Sequence, residues 1–158
     1  MSSIGEADVL AALAEVPDPE IPVVSIVDLG LVHTVRVDES AITVELLPTF
    51  VGCPALDAIR EAAATRLSTL GRPVDVRFSF DEPWTSERIT PTGREALRRH
   101  GFAPPGPASQ LVVLDTGVLC PYCGSSRTRL ENLFGPTQCR SIRYCTACRQ
   151  PFEHFKTI

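Results

Sequence analysis

The sequence predicts an α+β protein in two parts: a small α-β-β-α-β domain built on a mixed sheet, then a C-terminal ribbon organised by four cysteines. Three observations carry this. Residues 31–37, 41–47 and 74–80 alternate apolar and polar side chains, the period of half-buried strands. A helical stripe over residues 54–70 lies between the second and third of these, so their connection is a crossover. Two Cys-x-x-Cys pairs, Cys120-Pro-Tyr-Cys123 and Cys145-Thr-Ala-Cys148, stand near the end with 21 residues between the inner cysteines.

Taken in order, the first element is an amphipathic helix over Glu6–Val16, with Val9, Leu10, Leu13 and Val16 near helical spacing. Pro17-Asp18-Pro19-Glu20 stops it, because proline cannot continue a helix and biases the residue before it toward extended backbone. Leu31–Val37 and Ala41–Leu47 follow as strands, joined by a hairpin turn at Asp38-Glu39-Ser40. A second helix runs from Pro54 to Leu70 on the stripe Leu56, Ile59, Ala63, Leu67 and Leu70, closed by Gly71. Val74–Phe80 is the third strand. Thr90 and Pro91 suit the N-cap and first position of a short helix ending at His100. Ala103-Pro-Pro-Gly-Pro107 reads as linker, and Gln110–Val118 as a strand feeding the first cysteine pair. The expected division is therefore a domain at 1–83, a connecting loop, short helix and Pro-rich linker at 84–109, and a ribbon at 110–158.

Composition is that of an ordinary globular protein, 44% hydrophobic and 22% charged. No run approaches the ~18–20 consecutive apolar residues of a membrane span. Met1-Ser-Ser-Ile-Gly-Glu6 has neither a basic n-region nor an apolar h-region, so the expected location is cytoplasmic and reducing. Charge divides unevenly: residues 1–83 carry a balance of −9 and residues 84–158 one of +5. Two separately solubilised domains would produce this; so would a basic tail that docks on an acidic partner. The arginines of the tail are scattered and Lys156 is the only lysine, which speaks against a phosphate-tracking surface and a nucleic-acid partner.

Four thiolates in two tight turns can meet around one tetrahedral ion, and in a reducing compartment they read as metal ligands rather than disulfides. Cys120, Cys123, Cys145 and Cys148 are thus candidate ligands of a structural zinc. Rubredoxin-like iron uses the same Cys-Pro-x-Cys-Gly turn, though zinc is the commoner occupant of closed four-thiolate sites. Cys139 is left over, as a spare thiol, an alternative ligand or a redox partner. Cys53, in Pro48-Thr-Phe-Val-Gly-Cys-Pro54, falls at or beside a helix N-cap, where unpaired backbone N–H groups favour thiolate. Three uses stay open to it: soft metal ligand, nucleophile, or small buried apolar residue. Asp18, Glu20 and Asp28 flank the apolar segment 21–27 and either cap local turns or line a pocket with Cys53. His33 and His154 read as packing or surface residues. No phosphate loop, nucleophile elbow or His–carboxylate metal triad is visible.

The stretch Asp18-Pro-Glu-Ile-Pro-Val-Val-Ser-Ile-Val-Asp-Leu-Gly-Leu-Val32, followed by Leu47-Pro-Thr-Phe-Val-Gly-Cys-Pro54, resembles the iron–sulfur assembly factors of the SufT-like family over residues 6–82. Pro83-Trp-Thr-Ser-Glu-Arg-Ile-Thr-Pro-Thr-Gly-Arg-Glu-Ala-Leu97, Gly101-Phe-Ala-Pro-Pro105 and the two-knuckle tail resemble one zinc-ribbon-bearing branch, the phenylacetate-degradation D (PaaD-like) proteins. That resemblance implies a role in delivering or inserting iron–sulfur clusters or iron, with Cys53 at the position of the functional thiol. It implies as clients the oxygenase and reductase components of the phenylacetyl-CoA epoxidase. Transient iron or a cluster would be cargo, and one thiolate needs a second protomer or the client to complete a cluster site. The exposed edge of a small sheet allows a homodimer. A non-catalytic accessory or maturation factor is the leading expectation, and a structural docking subunit of the epoxidase without cargo is the second. A thiol enzyme using Cys53 lacks a recognisable base nearby.

Overall fold

The computed structural model describes residues 3–106 and 117–157. The strand expected over Gln110–Val118 falls almost wholly outside the described residues. The chain forms two units, residues 1–84 and 85–158.

In the first unit the order is helix α1 (Glu6–Leu13), strands β1 (Val32–Val37) and β2 (Ile42–Leu46), helix α2 (Ala55–Ser68) and strand β3 (Val74–Phe78). The three strands pair in the order β1-β2-β3, with β1 antiparallel and β3 parallel to β2. This is the expected mixed sheet. Asp38 makes the hairpin turn, its Oδ1 accepting from the backbone N–H groups of Ser40 and Ala41 at 2.8 Å each. The central strand buries Ile42, Val44 and Leu46 and leaves Thr43 and Glu45 half-exposed. Helix α2 buries Ala55, Ile59, Ala63 and Leu67, a single stripe at four-residue spacing, and packs on α1 and β3.

The first helix is shorter than its apolar pattern. Its final turn tightens at Leu13, where Glu15 and Val16 donate to carbonyls three residues back, and Pro17 forces Val16 out of the helix. Val16 remains buried all the same. Residues 17–31 are non-regular and plug the core with Ile21, Val24, Ile26, Leu29 and Leu31. The indole Nε1 of Trp84 donates to the Leu29 carbonyl at 2.9 Å and ties the end of the unit to this plug.

The second unit opens with a 3-10 turn, Ser86–Arg88, and helix α3 (Pro91–Arg99), whose N-cap Thr90 accepts from Gly93 N–H at 3.0 Å. Strands β4 (Phe102–Ala103), β5 (Thr128–Asn132), β6 (Arg140–Cys145) and β7 (Pro151–Phe155) form a sheet in the order β4-β7-β6-β5. Residues 85–106, expected to connect, are thus placed in this unit, and β4 runs parallel to β7 with Ala103 opposite His154. Ile89, Leu97 and Phe155 are buried in this unit, and a separate small cluster gathers Ala103, Cys120, Cys145 and Phe152, with Val118, Ala147 and Cys148 against them. Three of the seven residues of that cluster are cysteines, so the apolar surface around them is slight.

Candidate metal centre

The two cysteine turns repeat one backbone design. In the first, Gly124 N–H donates to the Cys120 carbonyl at 2.9 Å and Cys120 N–H to the Ser125 carbonyl at 3.0 Å. In the second, Arg149 N–H donates to the Cys145 carbonyl at 2.9 Å and Cys145 N–H to the Gln150 carbonyl at 3.0 Å. The residue after each second cysteine is left-handed, Gly124 at φ 73° and Arg149 at φ 60°. The sequence signal for this conformation at Arg149 is its place one residue after the second cysteine, equivalent to that of Gly124. Strand β6 ends in Cys145 opposite Thr128 of β5, and this pairing carries the second turn to the first.

All four sulfur atoms lie within 4.8 Å of one another. Cys120 Sγ is 3.7 Å from Cys148 Sγ, and Cys123 Sγ is 3.6 Å from Cys145 Sγ. A tetrahedral ion with sulfur at about 2.3 Å requires sulfur–sulfur edges of about 3.8 Å, whereas a disulfide requires about 2.05 Å. The quartet therefore fits a single zinc-sized ion and no disulfide. Its electrostatics agree. Backbone N–H groups of Cys148 and Ala147, with neighbouring thiols, bring Cys145 down to about 7. Burial, then the surrounding thiols, push Cys148 up to about 12. Neighbouring sulfurs thus pull Cys145 and Cys148 in opposite directions, and a divalent ion favours thiolate on every ligand.

Cys139 stands outside the quartet; its Sγ is 3.1 Å from Thr137 Oγ1. His154 is buried, with its Nδ1 3.4 Å from Ser141 Oγ and its Nε2 without a hydrogen-bond partner among the described residues.

Cys53 is half-buried one residue ahead of the helix N-cap, which is Pro54 rather than Cys53 itself. Its N–H donates to the Phe50 carbonyl at 3.3 Å and its carbonyl accepts from Leu56 N–H at 3.2 Å. Gly52 before it has φ 103°, a conformation the turn needs and other residues resist. Val51 is 74% exposed beside it. Asp18 Oδ1 accepts from the N–H groups of Glu20 and Ile21 at 2.8 Å each, and Asp28 Oδ2 accepts from Ser25 Oγ at 3.3 Å. Asp18 and Asp28 thus organise the 17–31 plug. Among the described residues the four ribbon cysteines are the one group of three or more ligand side chains that converges, so Asp18, Glu20, Asp28 and Cys53 do not meet as a metal cage.

Comparison with known proteins matches both units. The family model for the iron–sulfur cluster assembly protein matches residues 6–79, and that for the PaaD zinc beta ribbon domain matches residues 104–156. Over 155 residues the chain is 41% identical to the D component of a putative 1,2-phenylacetyl-CoA epoxidase of Escherichia coli (strain K12), spanning 96% of this chain and 92% of that protein. It is 32% identical over 93 residues to the Fe-S protein maturation auxiliary factor YitW of Bacillus subtilis (strain 168), which covers 57% of this chain and 90% of that protein. A crystal structure of a domain of unknown function (DUF59) from Bacillus anthracis superimposes with a TM-score of 0.54 at 33% identity, over 58% of this chain and 90% of its own. A conserved hypothetical protein from Thermotoga maritima does so at 0.53 and 34%, over 60% of this chain and 96% of its own.

Proposed function

The chain belongs to the family of the putative 1,2-phenylacetyl-CoA epoxidase D component, and from that premise we propose that it is an accessory factor that assists iron–sulfur or iron-centre assembly in that epoxidase. The observation that carries this is the joining, in one chain, of an assembly-type domain to a zinc ribbon, with similarity to the D component across nearly its whole length. In this reading the oxygenase and reductase components are the clients and Cys53 touches the cargo. Support for Cys53 comes from its place on an exposed turn held open by Gly52, at the head of α2. Asp18, Glu20 and Asp28 are assigned to the same site, and Asp18 and Asp28 also fix the turns of residues 17–31. Cargo held by one thiolate is held loosely, which suits a protein that must release it, and the remaining ligands come from a second copy or from the client.

A second reading has its own observation. Since no group of three or more ligand side chains includes Cys53 among the described residues, the protein is then a docking subunit of the epoxidase without cargo. Metal and acid-labile sulfide, measured after anaerobic purification of wild type, Cys53→Ala and Cys120→Ala, separate the two. The accessory reading expects zinc near one per chain, lost only in Cys120→Ala, and iron or sulfide lost only in Cys53→Ala. Zinc alone, with Cys53→Ala indistinguishable from wild type and oxygenase iron unaffected in cells, would leave the docking subunit.

A further inference from the structure

The ribbon unit leaves several large apolar side chains exposed. Leu119, Tyr122, Leu130 and Leu133 are each more than a third exposed, and all four line one cleft of about 970 Å³. Monomeric proteins rarely leave so many large apolar groups together in water without a use for them. The charge of the cleft has one sign. Arg98, Arg143 and Lys156 line it, and no Asp or Glu among the described residues does. Arg98 already pairs with Glu95, but Lys156 has no carboxylate partner among the described residues. Its ammonium donates to the Leu133 carbonyl at 3.1 Å and sits 4.9 Å from the centroid of the exposed Phe134 ring. A cation is thereby held at the border of a leucine and phenylalanine surface, ready for a carboxylate that arrives beside an apolar side chain.

We propose that this cleft is the docking site for an acidic, leucine- or phenylalanine-bearing segment of a partner polypeptide. The first cysteine turn forms part of its wall, so metal binding preorganises the cleft and lowers the ordering cost of docking. Small-ligand pockets run to roughly 1,000 Å³ and are mostly enclosed. Here four separate side chains are spread in the open, which suits successive residues of a peptide better than one compact anion.

Only the choice of probe rests on the accessory reading. Short overlapping peptides tiled across the epoxidase oxygenase and reductase components are titrated, by fluorescence anisotropy, into the full-length zinc-loaded protein. Acidic peptides bearing Leu or Phe are expected to bind. Leu133→Glu and Lys156→Glu are each expected to weaken them about tenfold with zinc content unchanged, and added salt to weaken them further. Absence of peptide binding would overturn the proposal, as would binding indifferent to both variants or unchanged when the peptide's acidic residues become serine. Saturable binding of phenylacetyl-CoA in place of the peptides would make the occupant a small anion. Peptide binding that appears only after residues 107–116 are replaced by a Gly–Ser repeat would assign the cleft to those residues of the chain itself and overturn the proposal. The accessory role is read separately, by oxygenase iron in cells carrying Cys53→Ala, so either idea can fail alone.

Discussion

Arg149 adopts the backbone conformation that Gly124 adopts in the other cysteine turn, and it does so with a Cβ. For a non-glycine residue the left-handed region costs on the order of 1–2 kcal/mol, and the turn enforces it because the Cys145 carbonyl needs the Arg149 N–H. Arg149→Gly is accordingly expected to raise the stability of the zinc-loaded ribbon by up to about 1 kcal/mol, and Gly124→Arg to lower it by a similar amount. Chemical denaturation of the two variants at saturating zinc checks both. His154 makes a pH-dependent claim. Burial, reinforced by the positive charges of Arg143 and Lys156, takes its pKa from an ordinary 6.5 down to about 4. The unfolded chain therefore binds a proton at this residue over a range where the folded protein does not. Stability from this source is whole above pH about 6.5 and is lost as pH falls toward about 4, by on the order of 3 kcal/mol in total. The imidazole resonance of His154, followed by NMR in the zinc-loaded protein, should show the neutral ring down to about pH 5; a midpoint near 6.5 would refute this.

At the scale of elements, the two sheets are held by different means. The first rests on apolar alternation: β2 buries Ile42, Val44 and Leu46, and α2 buries the stripe Ala55, Ile59, Ala63 and Leu67. In the second, β6 buries Arg140, Ser141, Arg143 and Cys145, while Ile142 and Tyr144 stay half-exposed. Arg140 is only 5% exposed, yet its Nη1 pairs with Glu153 of β7 at 2.6 Å and its guanidinium lies 5.8 Å from the Phe102 ring of β4. Such a strand cannot be recognised from its polarity, since the charge of its buried Arg140 is satisfied by residues on other strands. Removing the metal should consequently affect the two sheets differently. Chelation is expected to collapse the amide dispersion of residues 117–157 in a nitrogen-correlated NMR spectrum while leaving that of residues 6–79 in place. Retention of the β5–β7 signals without metal would show that the ribbon core suffices by itself.

For the whole molecule, the residues that could be read from sequence are those whose partners are near in the chain. Each Cys-x-x-Cys turn is a local object, so the metal quartet was legible; so were the Asp38 turn, the Thr90 cap and the crossover that makes the first sheet mixed. The early end of α1 was hidden because Leu10 and Val16 continue the apolar period that Pro17 interrupts. The α-β-β-α-β order, the opposed charge of the two halves and the pairing of the four ribbon cysteines were legible in the chain alone, because periodicity, charge and turn spacing are properties of neighbouring residues. Tertiary structure alone decided that Phe102–Ala103 joins the ribbon sheet and that β6 turns its arginines inward. It alone gathered Leu119, Tyr122, Leu130, Leu133 and Lys156 around one cleft. Those outcomes depend on pairing between segments far apart in the chain, where the free energy of burial and charge compensation is set by partners that no local pattern names.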